Sequence, residues 1–182
     1  MVSGRKRIVT MFGSGTAKEG SEEYILAYDL GRLLAEHGYA LCNGGYSGTM
    51  EAGARGAKEH GGSTIGVVSE TFGLAANKFI DERIVTKTLI ERLQRLIELG
   101  DGYVALRGGT GTLVELAVAW EYMNKGLLEV KPFVVVGGFW TDVVGTLKKE
   151  LLSEGRVDAS DYVIVVDTPD ECVNILHDRF SA

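Results

Sequence analysis

Three glycine-rich loops are the features of this sequence most suited to chemistry. Each lies between an apolar, β-branched run and a segment with helical spacing. Glycine lets the backbone approach a ligand closely, and the free N–H groups at a helix start attract anions. The loops therefore predict phosphate binding, although each glycine could instead serve only to permit a tight turn. The predicted phosphate- or nucleotide-binding residues are Gly13, Ser14, Gly44, Gly45, Gly108, Gly109, Thr110, Gly111 and Thr112.

The loop at residues 108–112 is neither of the two common nucleotide-binding motifs. It lacks the GxxxxGK[ST] pattern of a P-loop. Its Gly109-Thr110-Gly111 segment resembles the start of a dinucleotide fingerprint, but Val114 stands where the third glycine belongs. The loop therefore predicts an anion site without specifying one of these nucleotide folds.

Glu115 follows this loop in an otherwise apolar helical segment and has two interpretations. The spacing from Thr112 to Glu115 is that of a capping box, in which the carboxylate would stabilise the helix start by about 1 kcal/mol. Alternatively, a carboxylate beside a phosphate site could stabilise a developing cation or orient a water molecule. The residues alone leave both interpretations open.

Arg92 belongs to a second helical stretch, residues 89–97. At about 100° per residue, the apolar residues of that stretch predict one buried arc, with Arg92 at its margin. The ordinary expectation for such an arginine is a solvated position, and the alternative is a side chain that reaches into a cleft. The predicted buried arc consists of Leu89, Ile90, Leu93, Leu96 and Ile97.

The elements that must position these residues alternate regularly along the chain. Strands are predicted at residues 7–12, 39–42, 63–68, 102–106, 132–136 and 162–166, and helices at residues 21–37, 49–60, 87–99, 112–124 and 141–153. A final helix begins at the capping box Thr168-Pro169-Asp170-Glu171, and residues 69–86 are less regular.

This alternation predicts an α/β fold with right-handed crossovers. We expect a single Rossmann-like, doubly wound domain over residues 1–182, with a mainly parallel sheet and helices on both faces. Ligands bind such sheets at the carboxyl ends of the strands, near the point where the strand order reverses. Because all three glycine loops follow strands, they should line one cleft.

Composition excludes several classes of partner. The chain has 182 residues, of which 45% are hydrophobic, and 19 Lys and Arg stand against 25 Asp and Glu. The net charge of −6 provides no basic surface for a nucleic-acid polymer. No apolar run is long enough for a membrane helix or a signal peptide, so we expect a cytoplasmic protein. The scattered Cys42 and Cys172 predict core residues, and no metal site is indicated.

The motifs together resemble a known family. Residues 107–115 are similar to the PGGxGTxxE motif of the LOG ("Lonely Guy") family of cytokinin riboside 5′-monophosphate phosphoribohydrolases. Glu91-Arg92 stands where that family carries its catalytic arginine, and residues 43–50 and 61–67 resemble its upstream glycine motifs. The chain departs from the family pattern at three positions. Arg107 stands in place of the motif's proline, Leu93 in place of the lysine that often follows the arginine, and Tyr46 in place of a glycine.

The resemblance implies a hydrolase of purine nucleoside 5′-monophosphates, either cytokinin ribosides or adenosine. Such an enzyme cleaves the N-glycosidic bond to release the free base and ribose 5-phosphate, and requires no metal or organic cofactor. Glu115 and Arg92 would be the catalytic residues, and residues 108–112 would bind the 5′-phosphate. The alternative is a nucleotide- or phosphoribosyl-binding protein without turnover.

The resemblance also implies a homodimer, with the helix after the glycine loop near the interface. Residues 113–123 are apolar almost all round, which is typical of a helix buried on more than one side. Full burial within one subunit is the alternative interpretation.

Overall fold

The computed structural model describes residues 5–181. Strands and helices alternate along the whole of this part of the chain. In chain order they are β1 (Ile8–Phe12), α1 (Glu22–Glu36), β2 (Ala40–Asn43), α2 (Thr49–Glu59), β3 (Thr64–Ser69), β4 (Glu82–Thr86), α3 (Leu89–Leu99), β5 (Gly102–Ala105), α4 (Thr110–Asn124), β6 (Phe133–Val136), α5 (Thr141–Ser153), α6 (Val157–Ser160), β7 (Val163–Val166) and α7 (Pro169–Ser181).

The seven strands form one sheet in the order β4-β3-β2-β1-β5-β6-β7, and every neighbouring pair is parallel. Strands β2, β3 and β4 are added in succession on one side of β1. Strand β5 then pairs with the other side of β1, and β6 and β7 extend the sheet in that direction. The strand order therefore reverses between β1 and β5. The predicted Rossmann-like, doubly wound fold is confirmed, and the glycine loops after β1 and β5 flank the switch point.

Side chains of β1 alternate between two cores because the sheet is covered on both faces. Val9 and Met11 pack with α1, α2 and α7, whereas Ile8 and Phe12 pack with α3, α4 and α5. Both cysteines are free and buried, as predicted for core residues. The capping box that starts α7 is also present, since Thr168 and Glu171 exchange side-chain-to-backbone hydrogen bonds.

Three predictions about the elements are wrong. The less regular residues 69–86 include strand β4, whose Glu82 and Arg83 are exposed. An edge strand of this composition has no continuous apolar run, so the sequence did not reveal it. Leu89 and Ile90 are 49% and 62% exposed rather than part of the buried arc of α3. Helix α4 begins at Thr110, two residues earlier than predicted.

Candidate active site

Arg92 and Glu115 converge from the first halves of α3 and α4. Arg92 Nη1 lies 3.9 Å from Glu115 Oε1, and the two side chains are only 10% and 16% exposed. The expectation that Arg92 lies on a solvated helix face is therefore wrong. Because α3 packs against the sheet near its carboxyl edge, the margin of its apolar arc faces the cleft rather than solvent.

The guanidinium of Arg92 is held by the backbone of β3 and fits into space left by a glycine after β2. Its Nε donates a hydrogen bond of 2.8 Å to the carbonyl oxygen of Val67, in β3. Gly44, which follows β2, leaves the space that the guanidinium occupies, and a Cβ at this position would collide with Nη2. The lack of a side chain at Gly44 therefore makes room for the buried guanidinium of Arg92, in addition to any role of this glycine in the turn.

Two aromatic rings complete the surroundings of Arg92. The centre of the guanidinium lies 5.4 Å from the ring centroid of Tyr46 and 6.0 Å from that of Phe72. The Tyr46 hydroxyl accepts a hydrogen bond from the Ser69 N–H and donates one to the Gly73 carbonyl oxygen, both at 2.8 Å. Tyr46, which stands where the LOG motif has glycine, thus ties the segment after β3 to the arginine.

Glu115 lies in the second turn of α4 because that helix begins at Thr110. The N-cap residue is Gly109, and no side chain among residues 5–181 caps this helix. The capping-box interpretation of Thr112 and Glu115 is therefore wrong. Burial raises the pKa of Glu115 to about 7, although the neighbouring Arg92 guanidinium acts in the opposite direction.

A cavity of about 350 Å³ contains this pair and is called the Glu115 cavity below. Nine of the eleven predicted site residues line it. The full lining is Met11, Phe12, Gly13, Ser14, Gly15, Thr16, Gly44, Met50, Arg92, Gly109, Thr110, Gly111, Thr112 and Glu115. Because the first N–H groups of an α-helix have no partner within the helix, the uncapped start of α4 offers donors for an anion in this cavity.

The loop after β1 is held against the start of α2. The Ser14 carbonyl oxygen accepts hydrogen bonds from both the backbone N–H and the hydroxyl of Thr49, at 2.9 and 3.1 Å. Gly48 has a φ of +70°, and a Cβ there would collide with the backbone of Ser14 and Gly15. The first N–H of α2 is thus used to position Ser14 and is not available to a ligand, whereas the first N–H groups of α4 remain available.

Two predicted binding residues lie outside the Glu115 cavity. Gly45 has a φ of +76° and packs against Gly66, and its N–H donates to the side chain of Asn43. The structure therefore supports the alternative interpretation for Gly45, in which the glycine serves only to permit a tight turn. Gly108 packs tightly against Thr112 and lines a neighbouring cavity instead.

Tyr46, Phe72 and Met50 surround Arg92, and sequence reasoning did not identify them as its neighbours. These residues come from three separate segments, and their proximity follows only from the packing of β2, β3 and α3. Within residues 5–181, no group of three or more His, Cys, Asp or Glu side chains is arranged to hold a metal ion. The helices of the same region include none with the length and hydrophobicity needed to span a membrane.

Two curated relatives provide a first comparison with known proteins. A cytokinin riboside 5′-monophosphate phosphoribohydrolase of Mycobacterium tuberculosis is 36% identical over 150 residues, which cover 78% of this chain and 79% of the relative. The protein of the same name from Mycobacterium marinum is 31% identical over 153 residues, covering 81% and 82% of the two chains.

Solved structures provide a second comparison. The molybdenum cofactor carrier protein of Chlamydomonas reinhardtii has a TM-score of 0.79 at 28% identity, covering 98% of this chain and 100% of that chain. The family model described as the SLOG cluster4 family matches residues 6–173. The chain therefore belongs to the LOG family, and it also matches the SLOG cluster4 model over most of its length.

Proposed function

We propose that this protein hydrolyses the N-glycosidic bond of purine nucleoside 5′-monophosphates. The observation that carries the proposal is the buried Arg92–Glu115 pair, 3.9 Å apart, in a cavity that also contains the uncapped start of α4. The names of the mycobacterial relatives support the same reaction. A cavity of about 350 Å³ lies in the range of small-molecule sites.

Each part of the cavity has a role in this reaction. The start of α4, residues 110–112, binds the 5′-phosphate, which anchors the substrate away from the reacting bond. As the bond between the ribose C1′ and the base breaks, positive charge develops on the ribose ring. The Glu115 carboxylate stabilises that charge and accepts a proton from the water that adds to C1′. Arg92 orients Glu115 and donates a hydrogen bond to the departing base, which leaves with the electron pair of the broken bond and takes up one proton from solvent. Glu115 then releases to solvent the proton that it accepted from water, so the carboxylate is restored.

The second candidate function is binding without turnover. Two observations favour it. The chain is similar in structure to a molybdenum cofactor carrier protein, and Arg107 and Leu93 stand where the LOG family has a proline and a frequent lysine. Both functions use the same anion site at the start of α4. They differ in whether the bound nucleotide leaves the protein intact.

The test is to incubate the purified protein with AMP and with isopentenyladenosine monophosphate, and to separate the products by chromatography. We expect free base and ribose 5-phosphate in equal amounts. Adenosine, which lacks the phosphate anchor, should react far more slowly. Recovery of intact AMP at high protein concentration, in the presence of measurable AMP binding, would establish the binding function instead.

The pH dependence of hydrolysis should reveal the state of Glu115. Because the pKa of Glu115 is raised to about 7 and the reaction needs the ionised carboxylate, kcat/KM should rise with pH and level off above pH 8. The measurement is kcat/KM for AMP between pH 5 and pH 9. A value that falls across this range would mean that Glu115 acts as a proton donor, which contradicts the assigned role.

We also propose that the protein is a homodimer whose interface includes the exposed apolar side chains beside the Glu115 cavity. Trp120 and Met123 of α4 are buried within the subunit, and the Trp120 indole N–H donates to the Ala159 carbonyl oxygen at 2.7 Å. Val114, on the same helix, is 49% exposed, so burial of α4 within one subunit is incomplete. Ile90 of α3, two residues before Arg92, is 62% exposed and is the second apolar side chain that we assign to the interface.

Replacing Ile90 by Glu is therefore expected to convert a dimer into a monomer, because a carboxylate would have to be buried in the interface. Light scattering coupled to size-exclusion chromatography gives the mass of each variant. Leu152→Glu, at a similarly exposed position on α5, is the matched control and should remain dimeric. A monomeric wild-type protein at tens of micromolar, or a dimeric I90E variant, would contradict the proposal.

A further inference from the structure

A second cavity of about 480 Å³ lies directly beside the Glu115 cavity and is called the Arg107 cavity. Ser14 and Thr16 line both cavities. The backbone also passes from one to the other, because Gly109 lines the Glu115 cavity and Gly108 lines the Arg107 cavity. The two cavities therefore form one continuous cleft across the switch point of the sheet.

The order of groups along this cleft follows from the chain itself. Arg92 and Glu115 occupy one end, the start of α4 comes next, and Gly108 and Arg107 lie beyond it. If the 5′-phosphate binds at the start of α4, as the proposed function requires, the ribose and base lie towards Glu115. A group in the Arg107 cavity must then be attached to the phosphate on its far side.

The side chains of the Arg107 cavity suit an anion. Lys18 and Arg107 supply two cationic groups, and Ser14, Thr16 and Ser21 supply hydroxyl donors. Among the described residues, no carboxylate lies within 4.0 Å of the Lys18 ammonium group, so this cation is free for a ligand.

Arg107 is held at the cavity by two contacts. It forms an ion pair of 3.2 Å with Glu23, the one acidic residue in the lining, and its guanidinium lies 5.1 Å from the ring centroid of Phe139. The side chain of Arg107 remains 61% exposed, so its other N–H groups remain able to donate to a ligand. The charged groups of the lining, Lys18, Arg107 and Glu23, thus sum to one net positive charge.

We propose that the Arg107 cavity binds a second phosphoryl group attached to the 5′-phosphate, so that this chain binds nucleoside 5′-diphosphates more tightly than monophosphates. Arg107 donates charge-assisted hydrogen bonds to the terminal phosphoryl oxygens, and Lys18 balances the added charge. The orientation of the nucleotide in this proposal rests on the proposed function.

The test is the equilibrium affinity for ADP and AMP, measured by calorimetry in metal-free buffer with EDTA. All proteins carry Glu115→Gln, so that no turnover disturbs the titration. We expect ADP to bind about tenfold more tightly than AMP, which is the effect of one charge-assisted hydrogen bond. Adding Arg107→Gln should bring the ratio of the two affinities close to one while changing AMP affinity less than about twofold. Lys18→Gln should lower the ratio in part, and Lys149→Gln, on α5, should leave it unchanged.

Two outcomes would overturn this inference. One is ADP binding no tighter than AMP, and the other is an R107Q variant that loses the same factor of affinity for both nucleotides. The proposed function is tested separately, by release of base from AMP with the wild-type protein. Hydrolysis of AMP without a preference for ADP would refute this inference alone, whereas an Arg107-dependent preference without hydrolysis would refute only the proposed reaction.

Discussion

Replacing Glu115 by Gln is expected to lower kcat for AMP hydrolysis by about a thousandfold, while AMP still binds. The amide has nearly the same shape as the carboxyl group but carries no charge to stabilise the developing cation, and it cannot accept the proton of the attacking water. The phosphate site at the start of α4 is built from backbone and does not depend on residue 115. Steady-state kinetics and AMP titration together measure the two effects.

The same substitution has a stability signature that separates a loss of catalysis from a loss of folding. The fold raises the pKa of Glu115 from 4.5 to about 7, so ionisation opposes folding. In wild-type protein, stability is therefore lost as pH rises from 4.5 to about 7, by up to about 3 kcal/mol. Glutamine has no such ionisation, so E115Q should be more stable than wild type at pH 8 and similar to it below pH 4.5. Thermal melts that show E115Q to be less stable at pH 8 would contradict the buried position of the carboxyl group.

Replacing Arg92 by Ala is expected to lower kcat/KM at pH 7 by a factor of about one hundred to one thousand. The change removes the donor to the departing base and leaves Glu115 as an unpaired, nearly buried carboxylate. Because Arg92 holds the pKa of Glu115 down, its loss raises that pKa further. The rise of kcat/KM with pH should therefore move to more alkaline values, which a pH series on R92A measures.

Two further variants make the Arg92 result specific. Lysine restores the positive charge but cannot reproduce the planar group that donates to Val67 and packs against Tyr46. In R92K, kcat/KM should therefore rise with pH over nearly the same range as in wild type, while its value at pH 7 stays low. Arg95 lies on the same helix, is 45% exposed and pairs with Glu98 at 3.5 Å, so Arg95→Ala should have wild-type kinetics. An R92A variant with an unchanged pH profile would mean that Arg92 and Glu115 do not interact in the working enzyme.

The fold was readable from the sequence because its main strands are short, continuous apolar runs. Runs such as Phe133–Val136 are buried on both faces of a parallel sheet, and the helices between them are long enough for crossovers. Strand β4 was not predicted, since an exposed edge strand containing Glu82 and Arg83 has no such pattern. Local composition thus identified the covered strands and missed the uncovered one.

The surroundings of the Arg92–Glu115 pair depend on longer-range packing. Helical periodicity placed Arg92 at the margin of an apolar arc, but the side of the arc that faces the cleft is set by how α3 packs on the sheet. Tyr46 and Phe72 reach the guanidinium from segments 46 and 20 positions upstream of it, so no local pattern could relate them to it. Their contact with Arg92 follows from the pairing of β2 with β3 and from the packing of α3 on the sheet.

By itself, the sequence determined the parallel α/β sheet, the collection of the glycine loops at one edge, and Glu115 and Arg92 as candidates for catalysis. Only the tertiary structure decided that α4 begins at Thr110, that Glu115 is buried against Arg92 instead of capping its own helix, and that the cleft continues to Arg107. The physical reason is that periodicity fixes which side of an element is apolar. Distances between side chains on different elements depend on how those elements pack, and the pKa of a buried carboxyl group depends on those distances.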